Sequence, residues 1–152
     1  MSRNDYAIEC FNSGFNCAQS VFTAFSKDYG MDIKQSLRIA ASFGGGMGHI
    51  GEACGAVTGA FLVLGLLYGQ ENEGDNYTKV KNYLLVKEFT YRFRKINGSI
   101  KCNELLEYDI SDEKQLIAAR QTDIFQTLCP KYVSDAVKIL EEIIDEYGKE
   151  DI

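Results

Sequence analysis

The stretch from Phe43 to Tyr68, FGGGMGHIGEACGAVTGAFLVLGLLY, constrains this chain more than any other. It opens on a glycine-rich turn, Gly44-Gly45-Gly46-Met47-Gly48, passes through Cys54-Gly55-Ala56-Val57-Thr58-Gly59, and runs without a charge from Ala53 to Tyr68. That apolar run is shorter than the ~20 residues that span a bilayer, and Gly59 and Gly65 interrupt it. It therefore predicts a buried core helix near residues 52–69 and no membrane insertion. Gly55, Ala56 and Gly59 leave one side of that helix almost bare, so another backbone, a second sulfur or a bound group can come close to Cys54. A reactive or ligating cysteine needs such a setting. A tightly packed core helix needs it too, and the small residues alone do not separate the two.

The rest of the chain reads as helices around this one. Apolar residues recur at a period of 3.6, no alternating strand stands out, and Pro130 is the single proline. A first helix is expected over Asp5–Phe11. Asn16 then caps a second, with Gln19 in the capping-box position and Val21, Phe22 and Phe25 facing inward. Asp32 caps a third that carries Leu37, Ile39 and Ala40. The fourth starts near Gly51 and ends about Gly69. Asp75 opens a long fifth helix to about Ile96, with the stripe Leu85, Phe89, Phe93 and Ile96, closed by Asn97-Gly98. A short helix around Asn103–Tyr108 follows, then one from Ser111 towards Thr127. The last begins at Pro130, a residue suited to the first helical position, and carries Val133, Val137, Leu140, Ile144 and Tyr147. With 152 residues there is room for one well-buried domain. The expectation is an all-α, single-domain bundle of about six to eight helices covering residues 1–152.

A net charge of −6 argues against nucleic acid as a partner, which calls for a basic surface. The polar start Met1-Ser2-Arg3-Asn4-Asp5 has no apolar core and predicts no secretory signal. Five cysteines without such a signal point to the cytoplasm, where metal binding or redox chemistry is the commoner use of clustered thiols.

The cysteines fall at informative places on the helix map. Cys17 follows the cap Asn16, Cys54 lies in the first turn after Gly51, Cys102 precedes Asn103-Glu104, and Cys129 occupies the N-cap position before Pro130. Free backbone N–H groups and the positive end of the helix dipole favour a thiolate at such positions. Cys10 lies inside the first helix beside Ile8 and Phe11, where an inert thiol is the default. No C-x-x-C pair occurs, so spacing alone identifies neither a zinc finger nor a thioredoxin motif. Burial for packing also remains open for all four.

Asn16-Cys17-Ala18-Gln19, then Cys54-Gly55-Ala56-Val57-Thr58-Gly59, then single cysteines at 102 and 129, resemble the four-cysteine redox-active proteins, whose hallmark is one cysteine, a C-G-A-x-x-G motif and two further cysteines. The resemblance covers nearly the whole chain and implies that Cys17, Cys54, Cys102 and Cys129 form the functional set, as redox centres or metal ligands. Gly55 and Gly59 would allow close approach beside them, and Cys10 would be peculiar to this chain. Members are often encoded near transporters. A similar domain occurs in split-Soret cytochromes c, where cysteines of this kind are expected to hold an iron–sulfur cluster; this chain lacks C-x-x-C-H, so haem attachment does not carry over.

Three functions follow as expectations. In the first, the four thiolates bind a [2Fe–2S] cluster or zinc. In the second, no metal is held and the same cysteines work as dithiol/disulfide pairs. The third is a helical assembly protein, attached to a transporter or dimerising with itself, whose cysteines are merely buried. A redox partner is implied by the first two. His49, the single histidine, is either a metal ligand or base near the thiols or a plain surface residue. The glycine turn matches neither the dinucleotide fingerprint nor a Walker loop. Lys79, Lys81, Lys87, Arg92, Arg94 and Lys95 concentrate positive charge on the fifth helix, as a solvated face, as a docking patch for an acidic redox partner or as compensation for an anionic thiolate cluster.

Overall fold

The computed structural model describes residues 1–148. Among the described residues, eight right-handed α-helices make the bundle: α1 Arg3–Asn12, α2 Cys17–Ser26, α3 Ile33–Ala40, α4 Gly55–Tyr68, α5 Asn76–Asn97, α6 Cys102–Leu106, α7 Glu113–Arg120 and α8 Ile124–Tyr147. Among the described residues there is no strand, only an isolated antiparallel bridge between Ala53 and Lys101. The all-α expectation holds.

Helix starts follow their caps. The Asn16 side chain accepts from the Gln19 N–H while the Gln19 side chain accepts from the Asn16 N–H, a complete capping box. Asp32 and Asp75 accept from the N–H groups of Gln35 and Thr78, opening α3 and α5. Gly98 closes α5 in a left-handed conformation.

Two helices share the centre. Cys17, Ala18 and the run Ser20–Ser26 of α2 are buried, and α2 packs on α1, α3, α4 and α8. α4 crosses it through small residues: a Cβ on Gly59 would stand 2.8 Å from the Ala18 carbonyl oxygen and 3.0 Å from Ala18 Cα. No side chain fits between those backbones. Phe61, Phe89, Phe93 and Tyr132 form a chain of ring contacts, at centroid separations of 6.0, 5.9 and 6.1 Å, joining α4, α5 and α8.

Several expected boundaries and faces are corrected. α4 begins at Gly55, four residues later than Gly51, because residues 45–49 all take positive φ and wind left-handed before the chain turns into the Ala53–Lys101 bridge. The helix expected from Ser111 to Thr127 breaks after Arg120. α8 then starts at Ile124, with the Thr122 hydroxyl accepting from the Ile124 N–H and the Asp123 carbonyl accepting from Gln126 and Thr127. Pro130 therefore sits inside the helix and does not start it. Ile39 and Ile96 point to solvent rather than into their expected stripes, and Leu66 on α4 is exposed as well.

A four-cysteine cavity as the candidate functional site

Four chain segments bring the four cysteines together. Cys17 is the first residue of α2, held by the capping box behind it. Cys54 is the N-cap of α4 and Cys102 the first residue of α6. Those two are clamped across the bridge: the Cys54 N–H donates to the Ile100 carbonyl at 2.7 Å and the Cys102 N–H to the Glu52 carbonyl at 2.6 Å. Cys129 comes from α8, one turn before Tyr132 on the same face, and not from a helix start as expected.

All four line one cavity of about 160 Å³. They are 4–9% exposed, so their sulfurs face this space and not bulk solvent. Phe125, Leu105, Leu106 and Tyr132 make its apolar walls, and Asn16, Gly45 and His49 complete it. Tyr132 is fixed by donating its hydroxyl to the Leu105 carbonyl at 3.0 Å. Glycines let backbone lie against the cysteines. A Cβ on Gly46 would meet Cys102 Cβ at 2.8 Å and the Glu52 nitrogen at 2.7 Å, and one on Gly55 would meet Cys17 Cβ at 3.1 Å. Cys10 lies apart, half-buried on α1 with its sulfur 3.9 Å from the Thr23 hydroxyl, lining a different cavity with Tyr6 and Phe15.

Burial outweighs the helix-start effect on these thiols. It pushes Cys54 up to about 12, although the N–H groups of Ala56 and Val57 pull the other way. It pushes Cys102 to about 12 as well, with Cys54 and Cys129 adding to the rise. Cys17 is pushed well up, by its hydrogen bond to Cys129 first, with burial and the other three sulfurs behind that. Cys129 alone is lowered, by the hydrogen bond from Cys17 working against burial. The pull towards thiolate expected at all four is thus opposed by burial at Cys17, Cys54 and Cys102, and Cys129 alone is lowered.

Among the described residues, no group of three or more His, Cys, Asp or Glu side chains stands at the spacing that holds a single metal ion. None of the basic residues of α5 lines the cavity. Sequence reasoning named the four cysteines but not Phe125, Tyr132 or the Leu105–Leu106 wall. The helical spacing of Phe125, Cys129 and Tyr132, four and then three residues apart, is the signal that would have placed both aromatic residues beside the thiol. His49 was placed near the thiols only as one of two readings. It joins the cavity lining while its residue as a whole is exposed.

The model of the family described as "Putative redox-active protein (C_GCAxxG_C_C)" matches residues 15–143, which include all four cavity cysteines and exclude Cys10. The chain belongs to this four-cysteine family. In this member the motif stands as Cys54-Gly55-Ala56-Val57-Thr58-Gly59. No match is found among curated proteins or among solved structures. Among the described residues no helix is long and apolar enough to cross a membrane.

Proposed function

We propose that this family member is a cytoplasmic electron-transfer protein in which Cys17, Cys54, Cys102 and Cys129 hold an iron–sulfur cluster. The observation that supports it is the lining of one small, apolar-walled cavity by four thiols from four separate segments. The donor set fits: four sulfurs suit either a cluster or zinc. A cavity of about 160 Å³ lined by all four thiols leaves room for a group larger than a single ion, which supports the cluster reading. Bound, such a group supplies one-electron transfer.

The chain's own residues contribute placement and insulation. The bridge fixes Cys54 and Cys102 relative to each other, while the capping box and α8 bring Cys17 and Cys129 to the same space. Phe125, Leu105 and Leu106 exclude water, which strengthens every charge interaction inside. Ligation requires all four thiols to lose their protons, against the burial that raises Cys17, Cys54 and Cys102.

A metal-free reading has one observation in its favour: Cys17 and Cys129 line the same cavity and shift each other's protonation in opposite directions. The Cys129 thiolate would attack a substrate disulfide and expel one substrate thiolate. Cys17 would then lose its proton and attack the mixed disulfide, releasing the second thiolate. The substrate is thereby reduced by two electrons and the pair oxidised to a disulfide.

Purification without oxygen, followed by iron, sulfide and zinc analysis and a thiol count before and after oxidation, separates these readings. Iron and sulfide in the protein support the cluster. A colourless, metal-free protein that loses two thiols reversibly supports the dithiol pair and sinks the cluster. Four inert thiols leave a helical assembly protein.

A further inference from the structure

The outward face of α5 does not match the rest of the molecule. Tyr77, Val80, Tyr83, Leu84 and Tyr91 are 55–71% exposed there, along a helix about 33 Å long. Lys79, Lys87, Arg94 and Lys95 share the face and are exposed too. Lys79 lies over the Tyr83 ring at 5.9 Å and Lys95 over Tyr91 at 6.0 Å, so cations and aromatic rings form one surface. The single carboxylate within α5, Glu88, turns aside to pair with Arg92, which also bonds Glu142 and Glu146 of α8. A chain of net charge −6 thus presents one helix face with only positive charge.

The opposite side of this helix reaches the cysteine cavity. Phe93 contacts Tyr132 at a ring separation of 6.1 Å, and Tyr132 lines the cavity. A partner docked at the Tyr91 end of the outer face is therefore separated from the cavity by α5 itself, about 10 Å across, and the Phe93–Tyr132 ring pair beneath it.

We propose that the outward face of α5 docks an acidic electron-carrier protein, its tyrosines forming the contact centre and Lys79, Lys87, Arg94 and Lys95 the charged rim. Exposed tyrosines with a polar rim have the composition of protein interfaces, and a rim of one sign selects a partner of the other. A second copy of this chain is disfavoured, since a two-fold contact through this face sets four cations against four. A lipid surface is disfavoured because α5 already spends its most apolar stripe, Leu85, Phe89 and Phe93, on the core. The kind of partner rests on the redox reading above; the location of the face does not.

The test is an NMR titration of the ¹⁵N-labelled chain with a flavodoxin, an acidic one-electron carrier, at about 50 and about 200 mM salt. Amide shifts confined to α5, with binding weakened about tenfold at the higher salt, are expected. The combined variant Lys79→Glu, Lys87→Glu, Arg94→Glu, Lys95→Glu should bind at least about tenfold more weakly, with unchanged helical circular dichroism and thiol count. No binding at low salt, shifts elsewhere, or undiminished binding by the variant overturns the proposal. So does sedimentation of the chain with phosphatidylglycerol vesicles in place of carrier binding. A metal-free, thiol-inert chain that still binds through α5 fails the redox reading and keeps the docking face. A cluster-bearing chain whose variant binds as well as the native protein does the reverse.

Discussion

At the scale of single residues, the cavity is defined by what surrounds each sulfur. Cys54 and Cys102 are buried thiols pushed to about 12, and Cys129 is the one lowered member. In the reduced, metal-free chain at pH 8, Cys129 should be alkylated by iodoacetamide before the other three cavity thiols, as read by peptide mass spectrometry. Faster labelling of Cys54 or Cys102 would contradict the burial argument. Gly46 is the tightest of the glycine positions against a cysteine: at φ +63, a Cβ there strikes the Glu52 nitrogen and Cys102 together. Gly46→Ala should cost about 2–4 kcal/mol in denaturant unfolding, combining left-handed strain with overpacking. Which four of the five cysteines share the cavity was legible in their order and in the motif around Cys54. Their protonation was not. Sequence shows a helix start, but the depth of burial that opposes the dipole appears only once eight helices have packed.

At the scale of elements, α4 contains two glycines of opposite meaning. Gly59 is where α4 touches the α2 backbone, so Gly59→Ala should destabilise the fold by about 1–3 kcal/mol. Gly65 lies six residues on, exposed, with nothing within 4 Å of an added Cβ. Gly65→Ala should stabilise by about 0.5–1 kcal/mol through the lost flexibility of the unfolded chain. Thermal unfolding of both variants checks the contrast; equal effects would mean that α4 is not held to α2 at Gly59. Most helices were legible from caps, and Asn16, Asp32 and Asp75 act as the sequence suggests. Two starts were not. The α4 start is displaced by the left-handed run at residues 45–49, in which Met47 and His49 take a conformation that glycine usually supplies. The α8 start was hidden because Pro130 is a common first residue, whereas Thr122 and Asp123 provide the partners for the first turn.

At the scale of the whole molecule, the bundle's stability should follow its titrating groups. Cys54 and Cys102 bind their protons more tightly folded than unfolded. Their contribution is complete below the ordinary thiol value of about 8.5 and is lost as pH rises towards about 12. Asp75, held low by Thr78, and Glu146, held low by Arg92, act oppositely: their contribution is present above about 4 and lost as pH falls. The melting temperature of the metal-free chain should therefore form a plateau from about pH 5 to 8.5 and fall on both sides. Replacing Cys54 and Cys102 by alanine should flatten the alkaline limb, and an unchanged limb would place those thiols in water. The architecture needed little beyond helical periodicity and one proline. The cavity needed tertiary structure, because its walls come from residues as distant as Phe11 and Tyr132.

On the proposed function, Cys17, Cys54, Cys102 and Cys129 act as one set and Cys10 stands apart. The most direct measurement of this is the visible spectrum, with iron and sulfide content, of oxygen-free native protein and of five single Cys→Ser variants at positions 10, 17, 54, 102 and 129. Cluster absorption in the native protein and in Cys10→Ser, with loss or marked change in each of the other four, is the predicted result. A native protein without iron or sulfide, or a cluster that survives serine at Cys17, Cys54, Cys102 and Cys129 alike, would contradict it.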